Sequence, residues 1–242
     1  MVVAVCDDKQ IYLDRVKSII DSYLHSKGIA SSVITFHSGD ELLRDLSLIK
    51  SFDLVILDVE MPDSDGLYVA SKIREYHETV PIAFLSAFMK YSPSGYRVRA
   101  IRYMLKNDMD MDAQIQECLD CVIAEKAYSE SSFTFDFNVG ERTVKAIDIL
   151  YLESCGNYTL LRFNNDTNNE ELKVRGSLSK ITSILSSVDF IQISAKQSVN
   201  LYHVKSILRY SAKMKDGKEL SISQKKYNDV LKSFNLYRGR HL

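Results

Sequence analysis

Several things are scarce in this 242-residue sequence. Three prolines and nine glycines exclude collagen-like and proline-rich architectures. There is no apolar run of about 18 residues, so nothing reads as a membrane span. The apolar start, residues 1–6, runs straight into Asp7 and Asp8, whereas a secretory signal needs a basic start and a longer apolar stretch. A cytoplasmic protein without a membrane partner is the expectation. The four cysteines are too few for a disulfide scaffold. Cys118 and Cys121 are the one close pair, in a helical pattern with no second pair or nearby histidine. Packing or surface roles are expected for them ahead of metal or redox roles.

An excess of one charge is also missing, since 31 Lys+Arg face 32 Asp+Glu. The balance hides a split. Residues 1–127 carry 14 basic and 20 acidic side chains, net −6, and residues 128–242 carry 17 and 12, net +5. An acidic half joined to a basic half reads as two jobs in one chain. Apolar residues, at 45%, are enough for packed cores.

In the acidic half, apolar runs at 2–6, 32–36, 54–57, 82–85 and 101–105 alternate with segments of helical period. Ile11, Val16, Ile19, Ile20 and Leu24 mark the first helix, and residues 39–49, 66–76 and 111–125 mark others. Strand and helix in alternation predict an α/β fold, a doubly wound parallel sheet of five strands. Leu54–Leu57 is apolar throughout, as a central strand buried on both faces should be.

Polar residues stand at the C-terminal ends of these runs: Asp7 and Asp8, Asp58, Ser86 and Lys106. In an open parallel sheet that edge is where ligands bind. Three carboxylates converging there repel one another and need a cation, and oxygen-only ligands favour Mg2+ beside a phosphoryl group. Lys106 supplies a fixed positive charge and Ser86 a hydroxyl. The set suits phosphoryl transfer onto a carboxylate, with Asp58 the best acceptor. Singly, each residue could just as well begin a turn or cap a helix.

The runs ending in Asp7-Asp8, residues 54–62 around Asp58, Gly66, Leu85-Ser86-Ala87 and Tyr103-Met104-Leu105-Lys106 make residues 1–125 resemble a receiver domain of two-component response regulators. The resemblance implies strand order 2-1-3-4-5, as in flavodoxin. It implies a phosphoryl group accepted on Asp58 from a sensor histidine kinase. It implies Mg2+ held by Asp7, Asp8 and Asp58 with the Glu60 carbonyl, and phosphoryl oxygens contacted by Ser86 and Lys106. Tyr103 matches the switch aromatic. Such a chain is no enzyme beyond slow self-dephosphorylation. Asn107 stands where the family usually has proline. Basic residues Lys90, Arg97, Arg99 and Arg102 and acidic residues Asp110, Asp112, Glu117 and Asp120 could pair two copies into a homodimer on phosphorylation, or could simply be solvated.

Residues 126–132 are polar and lack apolar periodicity, and make the expected linker. From residue 133 the pattern is mostly β, with short strands around 133–137, 144–146, 149–153, 158–163, 172–174, 190–193, 204–210 and 219–222. A short helix fits 177–185, Asp216-Gly217 reads as a hairpin turn, and the tail after Ser223 reads as helix. Residues 190–242 hold 11 basic and 3 acidic side chains, the footprint of phosphate contact with nucleic acid.

Residues 149–158, Ser177-Leu178, Phe190-Ile191, Val199-Asn200 and Ser223 make residues 133–242 resemble the LytTR DNA-binding domain, a mostly β module that reads DNA with loops. By position, Asn157, Asn200 and Lys225 fall on reading loops, and Lys196 and Lys226 on nearby phosphate contacts; Asn200 could instead shape a turn. The sequence departs from the family at Ser194-Ala195-Lys196 and at Gln224. The expected whole is a phosphorylation-controlled regulator on promoter DNA, at direct repeats or paired half-sites. An aspartyl-phosphate phosphatase fits poorly: such enzymes use a second carboxylate two residues after the nucleophile as general acid, Asp58-Val59-Glu60 is a poor match, and the basic half would lack a purpose. A receiver coupled to a protein-binding domain is the other alternative.

Overall fold

Residues 1–62, 65–87, 98–106, 109–164 and 171–241 are described here, in a computed structural model. The expectations for Lys90, Arg97 and Asn107 lie outside those residues. The chain divides into two compact units, residues 1–123 and 124–242.

The first unit is built on five parallel strands, β1 (Val2–Cys6), β2 (Ser32–Phe36), β3 (Leu54–Leu57), β4 (Ile82–Ser86) and β5 (Arg102–Leu105). Their order is β2-β1-β3-β4-β5, as the resemblance implied. Alternation along each strand sends side chains to two separate cores. Ala4, Cys6, Val55, Leu57 and Phe84 pack on one face, against α2 (Gly39–Leu43), α3 (Leu46–Ile49) and α4 (Gly66–Tyr76). Val3, Val5, Leu54, Ile56 and Leu85 pack on the other, against α1 (Gln10–Ser26) and α5 (Met111–Glu130). Leu13, Val16, Ile20 and Leu24 form the buried stripe of α1, at the spacing expected of an amphipathic helix. The predicted helix at 39–49 is broken in two, because Asp45 accepts a hydrogen bond from Ser47 N–H and starts α3 afresh.

The expected linker takes a different form. Residues 126–130 continue α5, and Tyr128 is buried in the core of the second unit. The polar surface of these turns hid one anchoring side chain.

The second unit has a seven-stranded antiparallel sheet, ordered β11-β12-β8-β9-β10-β6-β7. Its strands are β6 (Ser132–Phe137), β7 (Gly140–Lys145), β8 (Ile149–Cys155), β9 (Tyr158–Phe163), β10 (Lys173–Arg175), β11 (Phe190–Gln192) and β12 (Gln197–Asn200). Helix α6 (Leu178–Ile184), capped by the Ser177 hydroxyl, packs on one face. A three-stranded sheet, β13 (Val204–Leu208), β14 (Ser211–Met214) and β15 (Glu219–Ser221), packs with α7 (Gln224–His241) around a second core. The expected single strand at 204–210 ends at Leu208. Arg209 and Tyr210 both have positive φ, and this tight turn folds β14 back on β13. The Asp216-Gly217 turn is present, with β14 as its first arm.

Candidate functional site

Four strand ends meet at one edge of the parallel sheet. Asp58 N–H donates to the Cys6 carbonyl at 2.8 Å, and Lys106 N–H donates to the Ser86 carbonyl at 2.9 Å. These bonds continue the strand register past the last paired residues and bring Asp7, Asp58, Ser86 and Lys106 together. All four are buried. Lys106 Nζ lies 2.5 Å from Asp7 Oδ2 and 2.6 Å from Asp58 Oδ2. Asp8 is half-buried, and ligand oxygens of Asp7, Asp8 and Asp58 lie within 4.8 Å of one another.

The electrostatics follow from this crowding. Burial pushes the Asp58 carboxyl above its ordinary range, and neighbouring Asp7 adds to it, against the pull of Lys106. Burial acts against the Lys106 charge, but its hydrogen bonds to Asp58 and Asp7 outweigh that and hold it above the usual lysine range. One ammonium does not neutralise three carboxylates. Asp8 Oδ1 is buried and has no hydrogen-bond partner among the described residues. A buried carboxylate oxygen left unpaired is costly, and a hard cation would satisfy it. The donor set is oxygen throughout, so these residues fit Mg2+. Bound there, the ion would neutralise charge on carboxylate and phosphoryl oxygens. An open depression of about 590 Å³ lies alongside, lined by Asp8, Lys9, Glu60, Met61 and Asp65 among others.

Gly66 supports the site from behind. A Cβ at this position would lie 2.0 Å from the Asp58 carbonyl oxygen, so only glycine lets α4 start this close. Tyr103 is half-buried on β5, its ring 6.1 Å from that of Phe84. Tyr12 was missed in the sequence. Its ring lies 4.3 Å from Lys106 Nζ, a contact without any sequence motif.

In the second unit the surface loops converge too. Asn157 is exposed in the β8–β9 turn, Lys196 is exposed between β11 and β12, and Lys225 and Lys226 are exposed on the first turn of α7. Ser154 N–H donates to the Lys196 carbonyl at 2.8 Å, and Ser223 N–H to that of Ile193 at 2.9 Å, which ties the three segments into one face. An open groove of about 850 Å³ runs there, lined by Cys155, Arg162, Lys196, Gln197 and Ser223 among others. Glu153 was also missed: it pairs with Arg162 at 3.0 Å and accepts from Gln197 Nε2 at 3.0 Å.

Models of two families match the chain: the response regulator receiver domain over residues 3–116 and the LytTr DNA-binding domain over residues 141–235. The chain belongs to the response regulators that join a receiver to a LytTR domain. Among its relatives is the sensory transduction protein LytT of Bacillus subtilis (strain 168), 24% identical over an alignment of 237 positions that covers 92% of this chain and 94% of that protein. A response regulatory domain of protein mrkE from Klebsiella pneumoniae is 19% identical, with TM-score 0.44, over 52% of this chain and 97% of that one. A LytTr DNA-binding domain from Bacillus cereus is 21% identical, with TM-score 0.35, over 44% of this chain and 97% of that one. The two matched domain families make the protein a response-regulator transcription factor, a member of a two-component system.

Not every expected DNA contact of this response regulator survives the structure. Asn200 is fully buried. Its Nδ2 donates to the carbonyls of Ala146 and Ile149 at 3.1 and 2.9 Å, and its Oδ1 accepts from Tyr128 Oη–H at 2.8 Å and Tyr202 N–H at 3.1 Å. With its donors and acceptor engaged, Asn200 holds the core and starts a turn; it does not read bases. The charges considered for receiver pairing are partly used within one copy: Glu117 pairs with Arg102, Asp112 with Arg15, Asp120 with Lys27 and Arg99 with Glu78. Cys118 is a free, buried thiol, pushed up to about 12 by burial, a setting that suits packing. Among the described residues no helix is long and apolar enough to cross a membrane.

Proposed function

We propose that Asp58 is the phosphoryl acceptor for a sensor histidine kinase, in the cytoplasm. The N–P bond of a phosphohistidine breaks, an O–P bond forms at an Asp58 carboxylate oxygen, and neutral histidine leaves. Asp7, Asp8 and Asp58 hold Mg2+, Ser86 and Lys106 meet the phosphoryl oxygens, and Tyr103 turns inward as Ser86 moves. The phosphorylated receiver forms a homodimer. Two copies of the second unit then bind promoter DNA at paired half-sites or direct repeats, with Asn157 and Lys225 toward bases and Lys196 and Lys226 toward phosphates. Slow self-dephosphorylation ends the signal. The proposed limits are residues 1–125 for the receiver and 133–242 for the LytTR domain, joined through 126–132, which are helical as far as Glu130.

The observation that supports this most is the shared position of Lys106 between Asp7 and Asp58, beside an oxygen of Asp8 that has no hydrogen-bond partner among the described residues. The test incubates the protein with acetyl phosphate and Mg2+, locates the label by mass spectrometry, and recovers the genomic fragments retained. Label on Asp58, lost in Asp58→Ala, with retention strengthened by the donor, is expected. Label elsewhere, or DNA retention indifferent to salt and to loss of Lys225 and Lys226, would overturn it.

A further inference from the structure

The acidic site has a wall that the charged residues do not account for. Lys106 is almost wholly enclosed, its side chain 3% exposed. An ammonium has three N–H donors, and the two carboxylates of Asp7 and Asp58 take up two directions. The Tyr12 ring, its centroid 4.3 Å from Nζ, covers a further side of the same charge.

The ring is held there by the site itself. Asp7 Oδ1 accepts from Lys9 N–H at 3.0 Å, and the Lys9 carbonyl accepts from Tyr12 N–H at 3.0 Å. No side chain caps the start of α1. The carboxylate that pairs with Lys106 through one oxygen thus uses the other to fix the turn that carries Tyr12. Asp7, Lys9, Tyr12 and Lys106 close a loop of contacts.

We infer that Tyr12 is a positioning residue for Lys106 during phosphoryl transfer. The reason lies in what must change. Both ion pairs of Lys106 involve carboxylates that the proposed function commits elsewhere, Asp58 to a phosphoryl group and Asp7 to a cation. Lys106 has to shift its hydrogen bonds to the incoming oxygens. A flexible four-carbon ammonium released from two partners at once would lose its place. The aromatic face is neutral, is committed neither to the phosphoryl group nor to the cation, and attracts the ammonium most strongly in a desolvated setting. It acts as a pivot on which the ammonium turns from carboxylate to phosphoryl oxygen.

This inference rests on the reading of Asp58 as the acceptor, and the experiment separates the two. Phosphorylation by acetyl phosphate with Mg2+ is timed in the full chain and in Tyr12→Phe, Tyr12→Leu and Tyr12→Met, with folding checked by thermal unfolding. Phe keeps the ring and should react within about twofold of the parent, while Leu and Met should each be about threefold to tenfold slower at saturating donor. Two ring-less variants are included so that one remains if the other misfolds. A parent protein that takes no label on Asp58 overturns the acceptor reading and this inference with it. A labelled parent with Leu or Met folded and equally fast overturns the role of Tyr12 alone. Phe as slow as Leu also overturns it, by assigning the effect to the hydroxyl.

Discussion

Gly66 shows how a residue with no side chain can govern the acidic site. A methyl group there would sit inside the contact distance of the Asp58 carbonyl oxygen, at 2.0 Å, and also meet Val59 Cα at 3.0 Å. Both neighbours are backbone, so no rotamer change relieves the clash. Gly66→Ala should displace the turn after β3, cost about 1–3 kcal/mol in urea unfolding, and slow phosphoryl labelling of Asp58 at fixed Mg2+. Labelling at the parent rate would show that the turn can yield. At this scale the sequence was legible where chemistry sits at a strand end. Asp7, Asp8, Asp58, Ser86 and Lys106 could be placed because an apolar run stops and a polar residue follows. It was illegible where identity is the same for opposite roles. Asn157 and Asn200 were both assigned to reading loops by the resemblance, yet one is solvated and the other is fully buried. Tyr12 read as an ordinary residue of the first helical turn, because a cation–π contact depends on a partner 94 positions away in sequence.

The elements of the second unit are tied by polar groups placed inside its core. Asn200 begins the 3-10 turn Leu201–His203 and joins it to the last turns of α5 through Tyr128, whose ring stacks on Tyr202 at 5.1 Å. Asn200→Ala would strand two carbonyls, a phenol hydroxyl and a backbone N–H. A loss of about 3 kcal/mol or more in unfolding free energy is expected, with unchanged base preference in the molecules that fold. A shifted base preference would return Asn200 to the reading surface. His203 follows in the same turn, its Nε2–H donating to the Ile147 carbonyl at 2.6 Å. Burial holds this imidazole below its ordinary range, and nearby Lys215 works the same way, against the hydrogen bond to Ile147 and the charges of Asp216 and Asp148. The unfolded chain therefore binds the proton more tightly. The contribution is complete above about pH 6.5 and is lost as pH falls from there toward the lowered folded value. Unfolding free energy measured from pH 7 to pH 5 should fall less steeply in His203→Gln than in the parent, and equal slopes would refute the assignment. The inner parallel strands β1, β3 and β4 were readable because burial on both faces leaves unbroken apolar runs. The last turns of α5 and strand β14 were not. One anchoring tyrosine among polar residues, and a turn made by Arg209 and Tyr210 in place of glycine or asparagine, carry no local signal.

Over the whole molecule, the near-zero net charge is a sum of unlike parts. The receiver half is net −6 and the other half net +5, with 11 of its basic residues after position 189. DNA phosphates attract the second and repel the first, and both effects are screened over a Debye length of about 8 Å at physiological salt. Tethering the acidic unit to the basic one should therefore weaken DNA binding by the unphosphorylated chain, whatever their mutual arrangement. A fragment of residues 124–242, which keeps Tyr128 with its partners Asn200 and Tyr202, is expected to bind promoter DNA more tightly than the full chain at about 50 mM salt, with the gap closing toward 200 mM. The two salt slopes carry the argument. A tethered acidic unit acting through charge lowers affinity most where screening is weakest, so the full chain should show the shallower slope. A steric block would leave the two slopes parallel and the gap constant. Parallel slopes would thus reject charge as the cause, and a fragment that binds no more tightly than the full chain would reject any restraint by the receiver.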